Sequence, residues 1–444
     1  MPRLKFLVVP VLIALLTAAN AHAQQLVVPD TAAGKVLAAW LDAFNSGDHT
    51  RMAAFHDVFD PTGPTADAMA NLRSRTGGFE LVGISKSESR RIEFLVKERA
   101  SETRAVGTFE LTPTDPPRVA SSSLLVVPPG GEMLGFDIDA ATRKRVITGA
   151  IAKLNEIYVF PDAAKKMEQT LRRHQKRGEY DAVTKGDKFA ALLTTHLRDV
   201  SHDKHLRVDF SPAKLPDASA APTAQQIEGN RKQLERANCF FPKVEILPRN
   251  IGYVKLDGFA LVNLCASTVV AAMNFVANVD AIIFDLRDNG GGDAFMVSYV
   301  ASYLFDQPTH LNDLWTRSTD STLQFWTNAQ VSGKRLGTQP AFVLTSSHTF
   351  SGAEEFAYDL KTQKRATIVG ETTGGGAHPV RGEKLDDRFL INVPFARAIN
   401  PITKTNWEGA GVEPDVNVAA ADALTTAQKL AAEQLASVRA TSRP

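Results

Sequence analysis

Ile282-Ile283-Phe284-Asp285-Leu286-Arg287-Asp288-Asn289-Gly290-Gly291-Gly292 is a short apolar run that passes through charged residues into three consecutive glycines. Its length and its glycine exit predict a buried strand followed by a tight turn. Glycine there allows positive φ and lets backbone N–H groups approach a ligand, as a developing oxyanion requires. The plainer reading is a turn and nothing more. Downstream, Phe342-Val343-Leu344-Thr345-Ser346-Ser347-His348-Thr349-Phe350-Ser351-Gly352-Ala353-Glu354-Glu355-Phe356 reads as strand, polar turn and amphipathic helix. Ser351 falls at the helix start, where the N–H groups and the positive dipole end favour negative charge. Two readings stand for it: a helix cap with Glu354 closing a capping box, or a nucleophile.

Working outward, further apolar runs at Ile251–Leu256, Ala281–Leu286, Ala341–Leu344, Thr367–Val369 and Phe389–Val393 alternate with helical stretches near 266–278 and 352–363. That alternation predicts an α/β layer fold. Upstream, Asp139 to Val200 is helical, with Val146, Ile147, Ile151 and Leu154 on one face and Phe189, Leu192, Leu193 and Leu197 on another. A Pro/Ala/Ser stretch, Ser211 to Thr223, separates the two regions. Residues 30–127 form a smaller α+β unit. A helix over Thr31 to Ser46 carries Leu37, Trp40, Leu41 and Phe44, and strands follow near Phe79–Ile84, Arg91–Lys97, Ala105–Leu111 and Ser123–Val127. Val127-Pro128-Pro129-Gly130-Gly131 closes that unit. The expected division is 1–23, 24–130, 131–215 and 216–444.

The 444 residues include 50 basic and 49 acidic side chains, so no basic excess exists to neutralise phosphates and nucleic-acid binding is not expected. Arg3 and Lys5 precede an apolar run from Phe6 to Ala19, and Ala21-His22-Ala23 offers a small-x-small cleavage pattern. The pattern is that of an export signal over residues 1–23, since a bilayer span needs roughly 20 apolar residues. Its removal would leave 48 basic against 49 acidic residues, a near-neutral mature chain with no membrane segment, expected in the periplasm or outside the cell. Cys239 and Cys265 are the only cysteines, too few for a thiolate metal site. Export would permit a bridge between them, and two buried free thiols are the alternative.

Taken together and in order, the motifs resemble those of the tail-specific, or C-terminal-processing, serine peptidases, in the branch of the tricorn core protease and the retinoid-binding repeats of photoreceptor matrix. The pieces that carry the resemblance are Asp285-x-Arg287-x-Asn289-Gly290-Gly291-Gly292, Thr349-x-Ser351-x-Ala353-Glu354, Val369-Gly370-Glu371-Thr372-Thr373-Gly374-Gly375 and Gly411-Val412-x-Pro414-Asp415. The resemblance runs from about Asp139 to Pro414 and implies a crotonase-like β-β-α layered catalytic domain fronted by a helical subdomain. Residues 30–127, through Trp40-Leu41-x-Ala43-Phe44-Asn45-Ser46-Gly47-Asp48, loosely resemble the cone-shaped α+β fold of nuclear transport factor 2 and polyketide cyclases.

The resemblance places a nucleophile at Ser351 and oxyanion donors at Gly352 and in the Gly290-Gly291 turn. The lysine that many members use as base would fall at Gly376, so that dyad is absent. The tricorn-like branch uses a histidine and a glutamate instead, which match His205, in Asp203-Lys204-His205-Leu206, and Glu408. That branch has a serine before its histidine where this chain has Lys204, a cation that would lower a nearby imidazole's pKa. His202, His348 and His378 are rival bases, and His378 is also expected to contact substrate. The implied activity is hydrolysis of peptide or protein substrates through an acyl-enzyme, with no cofactor and no metal. The alternatives are a non-catalytic module that binds a hydrophobic ligand and a hydrolase of small esters or peptides. A peptide-capturing PDZ module needs about 80–90 residues, more than separate Phe210 from Phe240, so it is expected to be missing. Oligomeric state is not read from the sequence.

Overall fold

The computed structural model describes residues 27–127, 131–216 and 223–441. The export-signal stretch and parts of both Pro-rich segments lie outside these residues. Backbone contacts divide the chain into two units, Met1–Leu124 and Leu125–Pro444.

The first unit builds on the helix Ala32–Ser46, capped by the Thr31 hydroxyl and ended by Gly47 at φ 71°. Its buried face presents Val36, Leu37, Trp40 and Phe44 to an antiparallel meander whose four strands lie in chain order. Trp40 stacks on Phe44 and Phe79, at ring-centroid distances of 5.5 and 5.7 Å. Two further helices, His49–Phe59 and Ala66–Thr76, start at Asp48 and Thr65, whose side chains accept backbone N–H groups of the first turn. The sequence reading had no helix at either place. Few of their residues are buried, so they carry little apolar periodicity.

In the second unit a six-stranded sheet is mixed: Lys243–Leu247 pairs antiparallel with Ile251–Lys255, and the remaining strands run parallel. Strand residues alternate between two cores. Val254, Ile282, Phe284, Val343 and Ile368 pack with the helices Val262–Phe275, Ala294–Ala301 and Gly352–Thr362. Tyr253, Ala281, Ile283, Phe342 and Leu344 pack with Ala423, Ala427 and Ala431 of the C-terminal helix. Burial on both faces explains why these strands read as continuous apolar runs.

A second, three-stranded sheet crosses the boundary expected at residue 215. The short strand Arg207–Phe210 pairs antiparallel with Phe389–Pro394, which also pairs antiparallel with Val380–Asp386. The two outer strands therefore run parallel and begin at the same end of the sheet. His205 and His378 each lie two residues before one of these starts, so the topology delivers both imidazoles to one place.

Cys239 and Cys265 form a disulfide with Cα atoms 5.7 Å apart. It ties the turn at 238–240 to the helix Val262–Phe275, and the Phe240 carbonyl accepts the N–H of Asp257 in the segment leading to that helix. Peptide mapping without reductant should recover Cys239 joined to Cys265. The double Cys→Ser variant should lose roughly 3 kcal/mol of unfolding free energy by loop-closure entropy; unchanged stability overturns that assignment.

Candidate active site

The turn after Ala281–Asp285 and the turn before Gly352–Thr362 touch through their backbones. A Cβ placed on Gly291, at φ 102°, would lie 2.7 Å from Gly352 N and 2.8 Å from Ser351 Cβ. Only glycine fits there. Gly292, at φ 143°, is equally constrained, because a Cβ on it would lie 2.0 Å from the Phe259 carbonyl oxygen. Asn289 pins the turn: its carbonyl accepts Phe350 N–H (3.0 Å), and its side chain donates to the Leu256 carbonyl (2.8 Å) and accepts Gly291 N–H (2.8 Å). The N–H of Gly291 is thereby consumed inside the turn. The N–H groups of Gly290 and Gly352 have no acceptor among the described residues.

Ser351 adopts φ 55° and ψ −120° between strand and helix. A non-glycine residue in that region is strained by on the order of 1–3 kcal/mol, and persists only where its surroundings force it. The surroundings here are Glu354. Its buried carboxylate accepts the N–H groups of Ser351 (2.8 Å), Gly375 (2.6 Å) and Gly376 (2.8 Å) and the hydroxyl of Thr373 (2.5 Å). Burial pushes its carboxyl up, while these donors pull the other way. The sequence reading gave Glu354 only the capping contact to Ser351.

His205 lies across Phe350, the residue before Ser351, with ring centroids 4.7 Å apart. A Cβ on Gly376 would meet Phe350 Cζ at 2.3 Å and His205 Cε1 at 2.6 Å. The space beside Gly376 is thus filled by the Phe350 and His205 rings. Burial pushes His205 down to about 4, with Asp203 pulling it up and His378, Arg207 and Arg198 adding smaller downward pushes. Lys204 is exposed and donates to the Gly374 carbonyl (2.5 Å), so burial does what the sequence reading expected of that lysine. The Nδ1 atom of His205 is buried with no hydrogen-bond partner among the described residues.

Glu408 Oε2 accepts Ala377 N–H (2.6 Å), and its Oε1 is buried without a partner among the described residues. Burial, then Asp203, pushes its carboxyl up to about 7 against the pull of His378. His378, expected to line a substrate cleft, is instead 3% exposed, with Nδ1 hydrogen-bonded to Asp203 Oδ2 at 2.7 Å. Asp203 was missed by the sequence reading, although it stands two residues before His205. His202 is exposed in a left-handed conformation at a helix end. His348 is exposed on a cavity of about 460 Å³ shared with Arg287, Ser347 and Glu371.

Among the described residues, two sets of side chains have ligand atoms close enough to hold a metal ion: Asp203, His378 and Glu408, and His174, Glu179 and His196. In each, a histidine Nδ1 is already engaged by a carboxylate, at 2.7 and 2.5 Å.

The second unit is thus a mixed α/β protein with a strained serine at a strand-to-helix turn. Residues 250–418 match peptidase family S41, residues 140–248 match the N-terminal domain of peptidase S41 in eukaryotic IRBP, and the chain belongs to the S41 family. The chloroplastic carboxyl-terminal-processing peptidase 2 of Arabidopsis thaliana is 31% identical over 168 residues, 37% of this chain and 31% of that protein. The chain spans about a third of the length of the curated relatives it matches. Among solved structures, a lipoprotein from Streptococcus agalactiae is 12% identical with a TM-score of 0.47, over 67% of this chain and 98% of that one. The tricorn protease is also 12% identical, with a TM-score of 0.44, over 81% of this chain and 42% of that one.

Glu354→Gln leaves one acceptor oxygen where two now serve four donors and turns an amide NH₂ toward N–H groups. The variant should lose about 2–4 kcal/mol of unfolding free energy and about 100-fold or more in peptide turnover. Thermal unfolding and a fluorogenic peptide assay read both, and wild-type values in each would reduce Glu354 to an ordinary cap.

Proposed function

We propose that the chain is an exported serine peptidase that cleaves peptide bonds through an acyl-enzyme on Ser351. The observation that carries this reading is the Ser351 backbone, strained at φ 55° where the glycine turn packs against it, with the N–H groups of Gly352 and Gly290 left without an acceptor among the described residues. A cap needs no such strain; an attacking hydroxyl at the mouth of an oxyanion site does. Ser351 Oγ attacks the carbonyl carbon, and its proton passes to His205, which burial keeps neutral through the neutral pH range. The Gly352 and Gly290 N–H groups receive the developing oxyanion. Gly291 shapes this turn rather than donating. Glu408, as carboxylate, offers Oε1 to the polar groups or water of the reacting centre. His205 then returns its proton to the leaving amine, and water repeats the sequence to release the acyl group.

The disulfide supports an oxidising compartment and so the export reading of residues 1–23. No described helix is long and apolar enough to cross a membrane. The alternating helix and strand layers of residues 216–441 support the crotonase-like assignment. The helix-plus-meander build of the first unit supports a nuclear transport factor 2-like accessory domain over 24–130, joined to a helical subdomain at 131–215.

A fluorophosphonate probe followed by peptide mapping should place the adduct on Ser351, and Ser351→Ala should abolish both labelling and peptide turnover. Its lost cap contact should cost only about 1 kcal/mol. A folded Ser351→Ala protein that still turns peptide over at the wild-type rate leaves Ser351 a cap, and an unlabelled protein with co-purified apolar ligand favours the binding-module alternative.

The pH profile follows from the direction of each shift. Glu408 titrates near 7 and His205 near 4, so on acidification the carboxylate is lost first. The acid limb of kcat/KM, which reports the free enzyme, should therefore fall near pH 7. A profile flat down to pH 5 rules out an ionised Glu408 in the reaction.

A further inference from the structure

Three consecutive non-glycine residues, Asn238, Cys239 and Phe240, stand in the left-handed region, at φ 45°, 52° and 63°. Asparagine tolerates that region. Cysteine and phenylalanine do not, because their Cβ atoms crowd the following carbonyl oxygen. The turn persists because it is tied at several points. The Ala237 carbonyl accepts Phe240 N–H (2.9 Å), the Asn238 carbonyl accepts Phe241 N–H (2.9 Å), and the Asn238 side chain donates to the Phe241 carbonyl (2.8 Å). The disulfide then fixes Cys239 to Cys265, near the start of the helix Val262–Phe275.

From this turn a short relay reaches the oxyanion site. The Phe240 carbonyl accepts Asp257 N–H (2.9 Å), and the Phe240 ring covers Gly258, where an added Cβ would lie 3.1 Å from Phe240 Cδ2. The same segment bonds the glycine turn. The Leu256 carbonyl accepts the Asn289 side chain (2.8 Å), Phe259 N–H donates to the Gly291 carbonyl (2.9 Å), and the Phe259 carbonyl accepts Asp293 N–H (2.8 Å). Lys255 adds a side-chain tie, pairing with Asp257 (3.2 Å) and with Asp288. Phe259 also packs on Phe356 of the serine helix, with ring centroids 5.7 Å apart. Gly290 lies between Asn289 and Gly291, both held by this segment, whereas the Gly352 N–H is set by the serine turn. The separation of the two donors therefore depends on where residues 256–260 sit.

We propose that the disulfide-locked turn 238–240 is a positioning element of the oxyanion site: through Phe240 it fixes residues 256–260, and through them the placement of Gly290 N–H against Gly352 N–H. The proposal rests on the reading of Ser351 as nucleophile. Neither cysteine touches the reacting atoms in this role. A misplacement of about 1 Å at a reacting centre costs up to about 100-fold in rate, so a small shift of the segment is enough. Turnover is thereby tied to an oxidising compartment: a chain whose bridge has not closed carries the serine but a loosened pair of donors.

The experiment compares the oxidised full chain with the same protein reduced by dithiothreitol. The dithiol breaks the Sγ–Sγ bond, gives two electrons and two protons to the cysteine sulfurs, and closes its own disulfide. Because both cysteines are buried, the Cys239→Ser, Cys265→Ser pair is measured beside it. Fluorophosphonate labelling taken to its end-point counts the folded serine sites in each sample, and peptide turnover is expressed per labelled Ser351. Without the bridge, kcat per labelled serine should fall by about 10-fold or more with KM nearly unchanged, because the weakened interaction is made only in the transition state. Reoxidation of the reduced protein should restore it. A role in stability alone lowers the labelling end-point and leaves kcat per labelled serine unchanged. That outcome overturns the positioning role and spares the nucleophile reading. No adduct on Ser351 in the oxidised protein overturns the nucleophile reading and this proposal with it. Where the protein without its bridge does not stay folded, Phe240→Ala decides, since it keeps the disulfide and removes the ring from Gly258. Its kcat per labelled serine should fall with faster amide hydrogen exchange across 256–260, and a wild-type kcat overturns the proposal.

Discussion

Four donors converge on the buried carboxylate of Glu354, from Ser351, Thr373, Gly375 and Gly376. Two of the site's walls meet there: the turn that carries the serine and the glycine segment that backs the histidine. Removing a carboxylate from water costs several kcal/mol unless its lone pairs are filled, and here both oxygens accept two hydrogen bonds. The same bonds hold Ser351 at a φ that an unconstrained serine avoids. The strain at the serine and the burial of the glutamate are offset by one network, which is why the turn can be both sharp and rigid.

Around that carboxylate, the large sheet and the small sheet divide the labour. Parallel strands Ala281–Asp285 and Ala341–Thr345 deliver the glycine turn and the serine turn side by side. The three-stranded sheet delivers His205 and His378 from sequence positions far apart. Asp203 then joins the two histidine segments with one carboxylate. The Asp285–Arg287 ion pair, with Tyr253 donating to the same aspartate, is a different case. It lies wholly beneath the first turn, with Arg287 reaching the Ala420 carbonyl, and braces the loop from below.

Much of this is legible in the sequence. Four apolar runs became strands of the large sheet because burial on both its faces leaves an uninterrupted apolar signature, the fifth, Phe389–Val393, became the middle strand of the three-stranded sheet, and the glycines marked a turn where a side chain on Gly291 or Gly292 would clash. The histidine and glutamate came from the family resemblance, and their positions fall close to Phe350 and Gly376. What could not be read were contacts set by topology. Asp203 to His378 depends on two outer strands starting at the same end of a sheet, and Glu354 to Gly376 depends on a turn folding back on a helix. The Gly291 N–H was expected to face substrate, but the side chain of Asn289 takes it, a choice made by rotamer and not by composition. The two short helices of the first unit escaped for a simpler reason: they bury too few residues to leave a periodic pattern.

Gly376 leaves room for a histidine from another part of the chain. The absence of a side chain there leaves the volume in which Phe350 Cζ and His205 Cε1 approach to 2.3 and 2.6 Å of a hypothetical Cβ. A side chain at that position would have to displace the Phe350 and His205 rings. The exchange also alters the electrostatics. A buried lysine base must be kept neutral against a solution value above 10, whereas an imidazole is neutral at pH 7 once burial has pushed it down. In the proposed mechanism the imidazole acquires a positive charge with the serine proton, and Asp203, the group that pulls His205 up, is in place to oppose the cost of that charge. Asp203 thus favours an imidazolium at His205 while its other oxygen bonds the His378 ring, one carboxylate serving both histidine segments.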